Sequence, residues 1–361
     1  MNVIKAVSHS QDNAFEMEDV SPLVQREQIT PKLETALFGG TINSMFLETN
    51  TIKYDELQET AQIPAGKRFD AYGPRLNKDR PRQLIYEVGS FGITGNVKPG
   101  DRANRRVPGT QELMGQDYLI AKMANKANKS WVLFDELAVN QLLTTDTNIT
   151  LGGPQPEYNY FVDIFGDTRA NVIDGADTDG KISMRLGAET DHIELFTNQV
   201  DLLETDLEKT GNSAGTIVCL CGKNFFAQRL EIERQEGLAR DLRTSLDMQS
   251  MGVPESSFGS GRFNYQHFTS ARDGIIYIRY AANILGTKLI SDDDAYLVPV
   301  GAESFMKFAY APAQTESYVN TVAQSAYAWQ EQHERRGTTV ASEKNVLPMY
   351  VNPQLTRWLK V

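Results

Sequence analysis

The residues able to do chemistry are few, and their settings argue against most of it. Gly211-Asn212-Ser213-Ala214-Gly215 spells G-x-S-x-G, the pattern of a hydrolase nucleophile elbow. That elbow needs a strand before the serine and a helix after it, so that the hydroxyl stands out on a tight turn. Here a helix-like run, Val200–Lys209, precedes Ser213 and a strand-like run, Thr216–Cys221, follows it. The order is reversed and no base or acid accompanies the serine at a suitable spacing, so a plain loop is expected. Cys219 and Cys221 share one face of a strand, yet no second cysteine pair or nearby His completes a tetrahedral zinc site. They read as buried, reduced thiols acting as small hydrophobes.

Asp174–Lys181 (DGADTDGK) looks briefly like a calcium loop. With Gly180 as the turn glycine, the first ligand position falls on Gly175 and the last on Leu186, where a carboxylate is required. A surface turn remains. Asp292-Asp293-Asp294 also reads as a solvated turn, and Gly222-Lys223-Asn224 lacks the other residues of a phosphate-binding loop. His9, His192, His267 and His333 follow no ligand spacing, and His333-Glu334 lacks the second His of a zincin helix. No catalytic residue, cofactor site or metal site emerges. The expectation is a structural or binding protein and not an enzyme.

The elements that would carry these residues follow from periodicity. Residues 1–35 mix polar, acidic and isolated apolar positions with Pro22 and Pro31 as breakers, and read as an extended arm. Thr41–Tyr54 alternates like a strand, and Leu84–Val88 reads as a strand returning. Between them Pro64–Arg82 is rich in Gly, Pro and basic residues, with little to bury, which predicts a projecting hairpin. Pro108-Gly109-Thr110 suits a helix entry. From Thr110 to Leu143 apolar residues recur at Leu113, Tyr118, Ala121, Ala124, Trp131, Phe134, Ala138 and Leu142, close to helical period. Roughly 34 residues at ~1.5 Å each predict a helix of ~50 Å. A second helix is expected over Asn224–Met248, and strands over Thr216–Cys221, Gly274–Tyr280, Ala295–Val300, Phe305–Tyr310 and Val346–Val351.

Charge is unevenly distributed. The 361 residues carry a net −11, which disfavours general duplex binding, since that depends on neutralising phosphates. Lys67–Arg106 holds ten Lys and Arg against Asp70, Asp79, Glu87 and Asp101, a net of +6, which leaves −17 on the rest. Residues 1–60 hold ten acids against Lys5, Arg26, Lys32 and Lys53. An acidic arm thus precedes a basic segment. No apolar run is long enough to span a membrane. Met1–Val20 lacks the apolar core of a secretory signal, and two cysteines make no disulfide framework, so folding in a reducing compartment is expected.

The carboxyl-terminal third carries a resemblance. Ala295–Gly301 (AYLVPVG), Phe308–Ala313 (FAYAPA), Tyr318–Thr321 (YVNT), Tyr327–Gln330 (YAWQ) and Val346–Pro353 (VLPMYVNP) together resemble the major capsid protein E family of tailed phages, the lambda-type head proteins. Val218–Phe226 (VCLCGKNFF) and Phe263–Phe268 (FNYQHF) are similar to its upstream elements, so the likeness is best over residues 215–361. It implies the α+β Hong Kong 97-type phage capsid fold, divided into an N-terminal arm (1–47), an extended E-loop hairpin (48–90) and a peripheral domain (91–214) with a long spine helix (about 110–143). An axial domain (215–310), further peripheral strands (311–350) and a C-terminal segment (351–361) returning to the axial domain complete it.

The resemblance also implies hexamers and pentamers of an icosahedral phage head around double-stranded DNA, assembled in the host bacterial cytoplasm. A separate scaffold protein, a portal and a decoration protein are its implied partners. DNA would be enclosed without sequence-specific binding, and no membrane is involved. Basic E-loop residues Arg68, Arg75, Arg80 and Arg82 are then expected to contact acidic surfaces of neighbouring subunits. An encapsulin-like compartment shell of the same fold is the alternative, with a serine hydrolase using Ser213 a remote one.

Overall fold

Consecutive apolar residues that are all buried mark strands covered on both faces, and such runs build the larger sheet. The computed structural model describes residues 43–56, 82–103, 105–107, 113–151, 153, 155–184, 192–210, 216–235, 267–270, 274–280, 283–284, 287–300, 305–315, 318, 320–333 and 337–361. Its strands are β1 (Asn43–Phe46), β2 (Thr51–Glu56), β3 (Arg82–Glu87), β4 (Gly89–Val97), β5 (Ile182–Ser183), β6 (Thr216–Cys221), β7 (His267–Thr269) and β8 (Ile276–Arg279). They continue with β9 (Asn283–Ile284), β10 (Thr287–Lys288), β11 (Asp294–Val300), β12 (Met306–Tyr310), β13 (Tyr327–His333), β14 (Gly337–Tyr350) and β15 (Arg357–Lys360). The helices are α1 (Pro99–Arg102), α2 (Gln116–Thr145), α3 (Tyr160–Phe165), α4 (Arg169–Val172), α5 (His192–Lys209) and α6 (Lys223–Gln235). None of these helices is long and apolar enough to cross a membrane.

The chain divides into two units, one containing 92–132 and 326–343 and the other most of the remaining described residues. In the larger unit six strands lie in the order β5-β15-β11-β6-β8-β7. β6 pairs antiparallel with β11 and parallel with β8, while β15, near the end of the chain, fits between β5 and β11. Val218, Cys219, Leu220, Cys221, Tyr277, Ile278, Leu297 and Leu359 have no exposed surface. α5 and α6 lay Phe196, Phe226 and Arg229 against the aromatic pair Phe268 and Tyr277, whose rings stack at 4.8 Å. At the β6–α6 joint Gly222 runs so close to the 291–292 backbone that an added Cβ would sit 2.0 Å from the Ser291 carbonyl oxygen. The same unit holds a second set of strands, β1 parallel to β12 and β12 antiparallel to the 346–350 half of β14.

In the smaller unit β13 folds back on the first half of β14, in register from Tyr327↔Glu343 to His333↔Gly337. Gly337 starts that return with φ +89°, and an added Cβ would fall 2.1 Å from the Val97 carbonyl oxygen, so only glycine fits. Trp131 of α2 donates from Nε1 to Ser342 Oγ at 2.8 Å, and Ser342 donates on to the Tyr327 carbonyl at 2.9 Å.

α2 is 30 residues long, or about 45 Å, and runs from one unit into the other. It starts at Gln116, later than the expected Thr110, because the chain at Leu113 is instead in an isolated bridge with Arg106. Its second half buries Trp131, Phe134, Ala138, Val139, Leu142 and Leu143, whereas residues 116–130 are exposed or half-buried. The alternation read over Thr41–Tyr54 is two strands, β1 and β2, separated by a bend at Glu48–Asn50. Of the helix expected over Asn224–Met248, the part up to Gln235 is α6, and the remainder lies outside the described residues, as do the 1–35 arm and the Pro108–Thr110 entry.

Candidate functional site

The basic segment is carried on the β2–β3 hairpin, paired in register from Thr51↔Glu87 to Glu56↔Arg82. Two strands alone are marginal in water, so the root must be held by something else. Alternation puts the cross-strand pair Ile52 and Tyr86 on one face, 5% and 3% exposed. Tyr86 meets Tyr158 and Tyr160 edge-on at 4.9 and 5.5 Å. Tyr158 Oη accepts from the Glu87 amide at 2.8 Å, and Tyr160 donates its hydroxyl to the Pro348 carbonyl at 2.7 Å. Burial, with Tyr86 and Tyr158 adding to it, pushes the Tyr160 phenol well above its ordinary pKa, so it remains a donor.

This tyrosine platform is built on a polar loop after α2. Asn148 accepts from the Tyr158 amide through Oδ1 at 2.7 Å and donates through Nδ2 to the Pro156 carbonyl at 3.0 Å. Gln155 donates to the Ser90 carbonyl at 2.7 Å, tying the loop to the start of β4. Behind it Arg169, 5% exposed, makes two bonds to Asp146, at 2.6 and 2.8 Å. It also donates to the carbonyls of Thr356 and Pro353 at 2.6 and 2.9 Å, with its guanidinium 4.6 Å from the Phe161 ring and 4.4 Å from that of Trp358. One side chain therefore joins the end of α2 to the returning C-terminal strand. Asp146 takes φ +58°, a conformation Asp tolerates better than most residues. Burial raises its carboxyl above the ordinary value against the pull of Arg169.

On the opposite face the root of the hairpin is solvent-exposed. Thr51, Lys53, Gln83 and Glu87 are exposed, and Ile85, paired with Lys53, is 59% exposed. A hairpin bound by one face and presenting Lys53 and Ile85 on the other is suited to a contact outside its own chain.

Of the arginines expected at subunit contacts, Arg82 is the first residue of β3, while Arg68, Arg75 and Arg80 lie outside the described residues, as does Ser213. Cys219 and Cys221 are fully buried with their sulfurs 3.6 Å apart. The 174–181 segment is a turn in which Asp177 Oδ1 accepts from the amides of Asp179 and Lys181. The 292–294 triplet corrects the sequence reading at one position: Asp294 is not a solvated turn residue. It opens β11, is 7% exposed and is bonded to Lys181 at 2.6 Å. Sequence reasoning missed the tyrosine platform and the Arg169–Asp146 pair. The one signal for the platform was the aromatic cluster Tyr158-Asn-Tyr160; for Arg169 there was none.

The model of the phage major capsid protein E family matches residues 23–361. No curated protein matches the chain. Among solved structures, the capsid protein of a prophage in E. coli CFT073 is 13% identical, with a TM-score of 0.51 and 95% of this chain and 99% of that one covered. The mature capsid of bacteriophage PhiM1 is 10% identical at TM-score 0.49, covering 93% and 90%. The SrpI encapsulin complex of Synechococcus elongatus PCC 7942 is 11% identical at 0.42, covering 95% of each. The fold is the Hong Kong 97-type capsid fold. With a family match over nearly its whole length, the chain belongs to the phage major capsid protein E family.

Proposed function

We propose that this major capsid protein forms hexamers and pentamers that close into an icosahedral head around double-stranded DNA, in the cytoplasm of a bacterial host, with no catalytic role. The observation that carries the reading is the β2–β3 hairpin, held by Tyr86 on one face while Lys53 and Ile85 stand bare on the other. In this reading residues 48–90 are the E-loop, residues 91–214 and 311–350 the peripheral domain with α2 as its spine, and residues 215–310 the axial domain. Residues 1–47 form the arm. The pairing of β15 with β11 supports a return of residues 351–361 to the axial domain.

Arg68, Arg75, Arg80 and Arg82 contact acidic surfaces of adjacent subunits. Each exposed pair contributes only ~0–1 kcal/mol, but repetition around every subunit sets register and salt sensitivity. A scaffold protein and a portal guide closure, and the acidic remainder of the chain keeps packaged DNA from sticking to the wall. Negative-stain microscopy of the protein, alone and with the products of neighbouring genes, tests this. Hexamers or closed shells are expected, and a protein that stays a compact monomer under both conditions sinks it. Shells holding protein cargo and no DNA would make it an encapsulin-like compartment instead.

A further inference from the structure

We infer that a groove alongside α5 is the acidic surface that receives the basic segment Lys67–Arg82 of a neighbouring copy. The inference rests on the shell-subunit reading and supplies a receptor for its hairpin. The groove has a volume of about 730 Å³ and lies between α5, the turn at Asp174 and strand β5. Glu194, Asn198 and Asp201 line it from α5 at spacings of four and three, which places them on one helix face. Asp174 faces them from the turn. All three carboxylates are exposed, and among the described residues no Lys or Arg lines the groove.

A second observation points to a donor ligand. Gln199 also lines the groove, is only 4% exposed, and its Oε1 accepts no hydrogen bond among the described residues. A buried carbonyl left without a donor is costly, and a guanidinium or ammonium entering the groove supplies one. A metal ion does not fit: among the described residues no three His, Cys, Asp or Glu side chains converge to hold one. Charge spread along a groove suits an extended polycation, and nucleic acid would be repelled. The chain contains such a polycation. Lys67, Arg68, Arg75, Lys78, Arg80 and Arg82 stand against Asp70 and Asp79 alone, a net of +4.

Two measurements on the full-length protein test this. A fluorescent peptide of residues 67–82 should bind the wild-type chain and lose about tenfold or more in affinity to an Asp174→Asn, Glu194→Gln, Asp201→Asn variant. Those are exposed, near-isosteric changes, and circular dichroism checks that the variant is folded. No peptide binding, or binding unchanged in the variant, overturns the inference. A chain carrying Arg80→Cys and Glu194→Cys should give a ladder of disulfide-linked oligomers on oxidation, with Arg80→Cys and Lys209→Cys as the background pair. An intrachain disulfide, or a ladder no stronger than background, also overturns it. Shells by microscopy with either negative result would remove the groove and leave the shell-subunit reading standing; absence of shells removes both.

Discussion

Arg169 is charged and buried, a state that survives only when every donor finds an acceptor and the charge is paired. Asp146, the carbonyls of Pro353 and Thr356 and two aromatic faces provide this. Arg169→Met leaves Asp146 stranded in the interior and should cost about 3–5 kcal/mol in a urea melt. Adding Asp146→Leu should recover much of that loss, because removing both charges is far milder than removing one. Asp135 offers a pH test. Burial raises its carboxyl above the ordinary 3.8, while Lys344, bonded at 2.5 Å, pulls the other way. The folded state therefore holds this proton more tightly than the unfolded chain. The group's contribution is fully present below 3.8 and is lost as pH rises through the folded pKa. Wild-type stability relative to Asp135→Asn should fall as pH rises above 3.8, whatever constant offset the stranded Lys344 adds. A rise instead would contradict the assignment.

Tyr86 and Gly337 are single positions at which the hairpin and the β13–β14 return can each be tested. Tyr86 is the buried hold of the β2–β3 pair on its platform, and Tyr86→Ala removes an aromatic of the kind that typically costs about 3–5 kcal/mol. Because the hairpin is a separate two-stranded ladder, the loss should be local. Hydrogen exchange should speed up at amides of β2 and β3 and stay unchanged in β6, β8 and β11. Equal acceleration in both sheets would mean that the hairpin is integral to the core. At Gly337 a side chain meets both a positive φ and the Val97 carbonyl. Gly337→Ala should lower stability by about 1–3 kcal/mol from backbone strain alone, and thermal melting measures it. An unchanged melting temperature would show that the turn relaxes freely.

At the scale of the molecule, the net −11 divides into a +6 segment and a −17 remainder, a distribution that favours contact between copies over contact with DNA. Arg80→Glu with Arg82→Glu should reduce the yield of shells and flatten the salt dependence of assembly, as read by light scattering. Unaltered assembly would mean that these arginines are merely solvated. Much of this was legible in the chain itself. The buried apolar runs Val218–Cys221 and Ala295–Pro299, the reversed order around Ser213 and the basic composition after Tyr54 are local patterns, and period and composition report local patterns faithfully. Their assembly was not legible. β15 enters the sheet between β5 and β11, Tyr160 reaches Pro348, and Trp131 reaches Ser342, all through partners far apart in sequence. Nothing in the types of Asp146 and Arg169 singles them out among 83 charged side chains, 36 basic and 47 acidic. Sequence determined which segments are strands, helices and charged extensions, because backbone propensity and burial pattern act over a few residues. Only the tertiary structure decided which surfaces those segments cover and which they leave open to another copy, because a buried charge or an aromatic platform exists only once distant partners have closed around it.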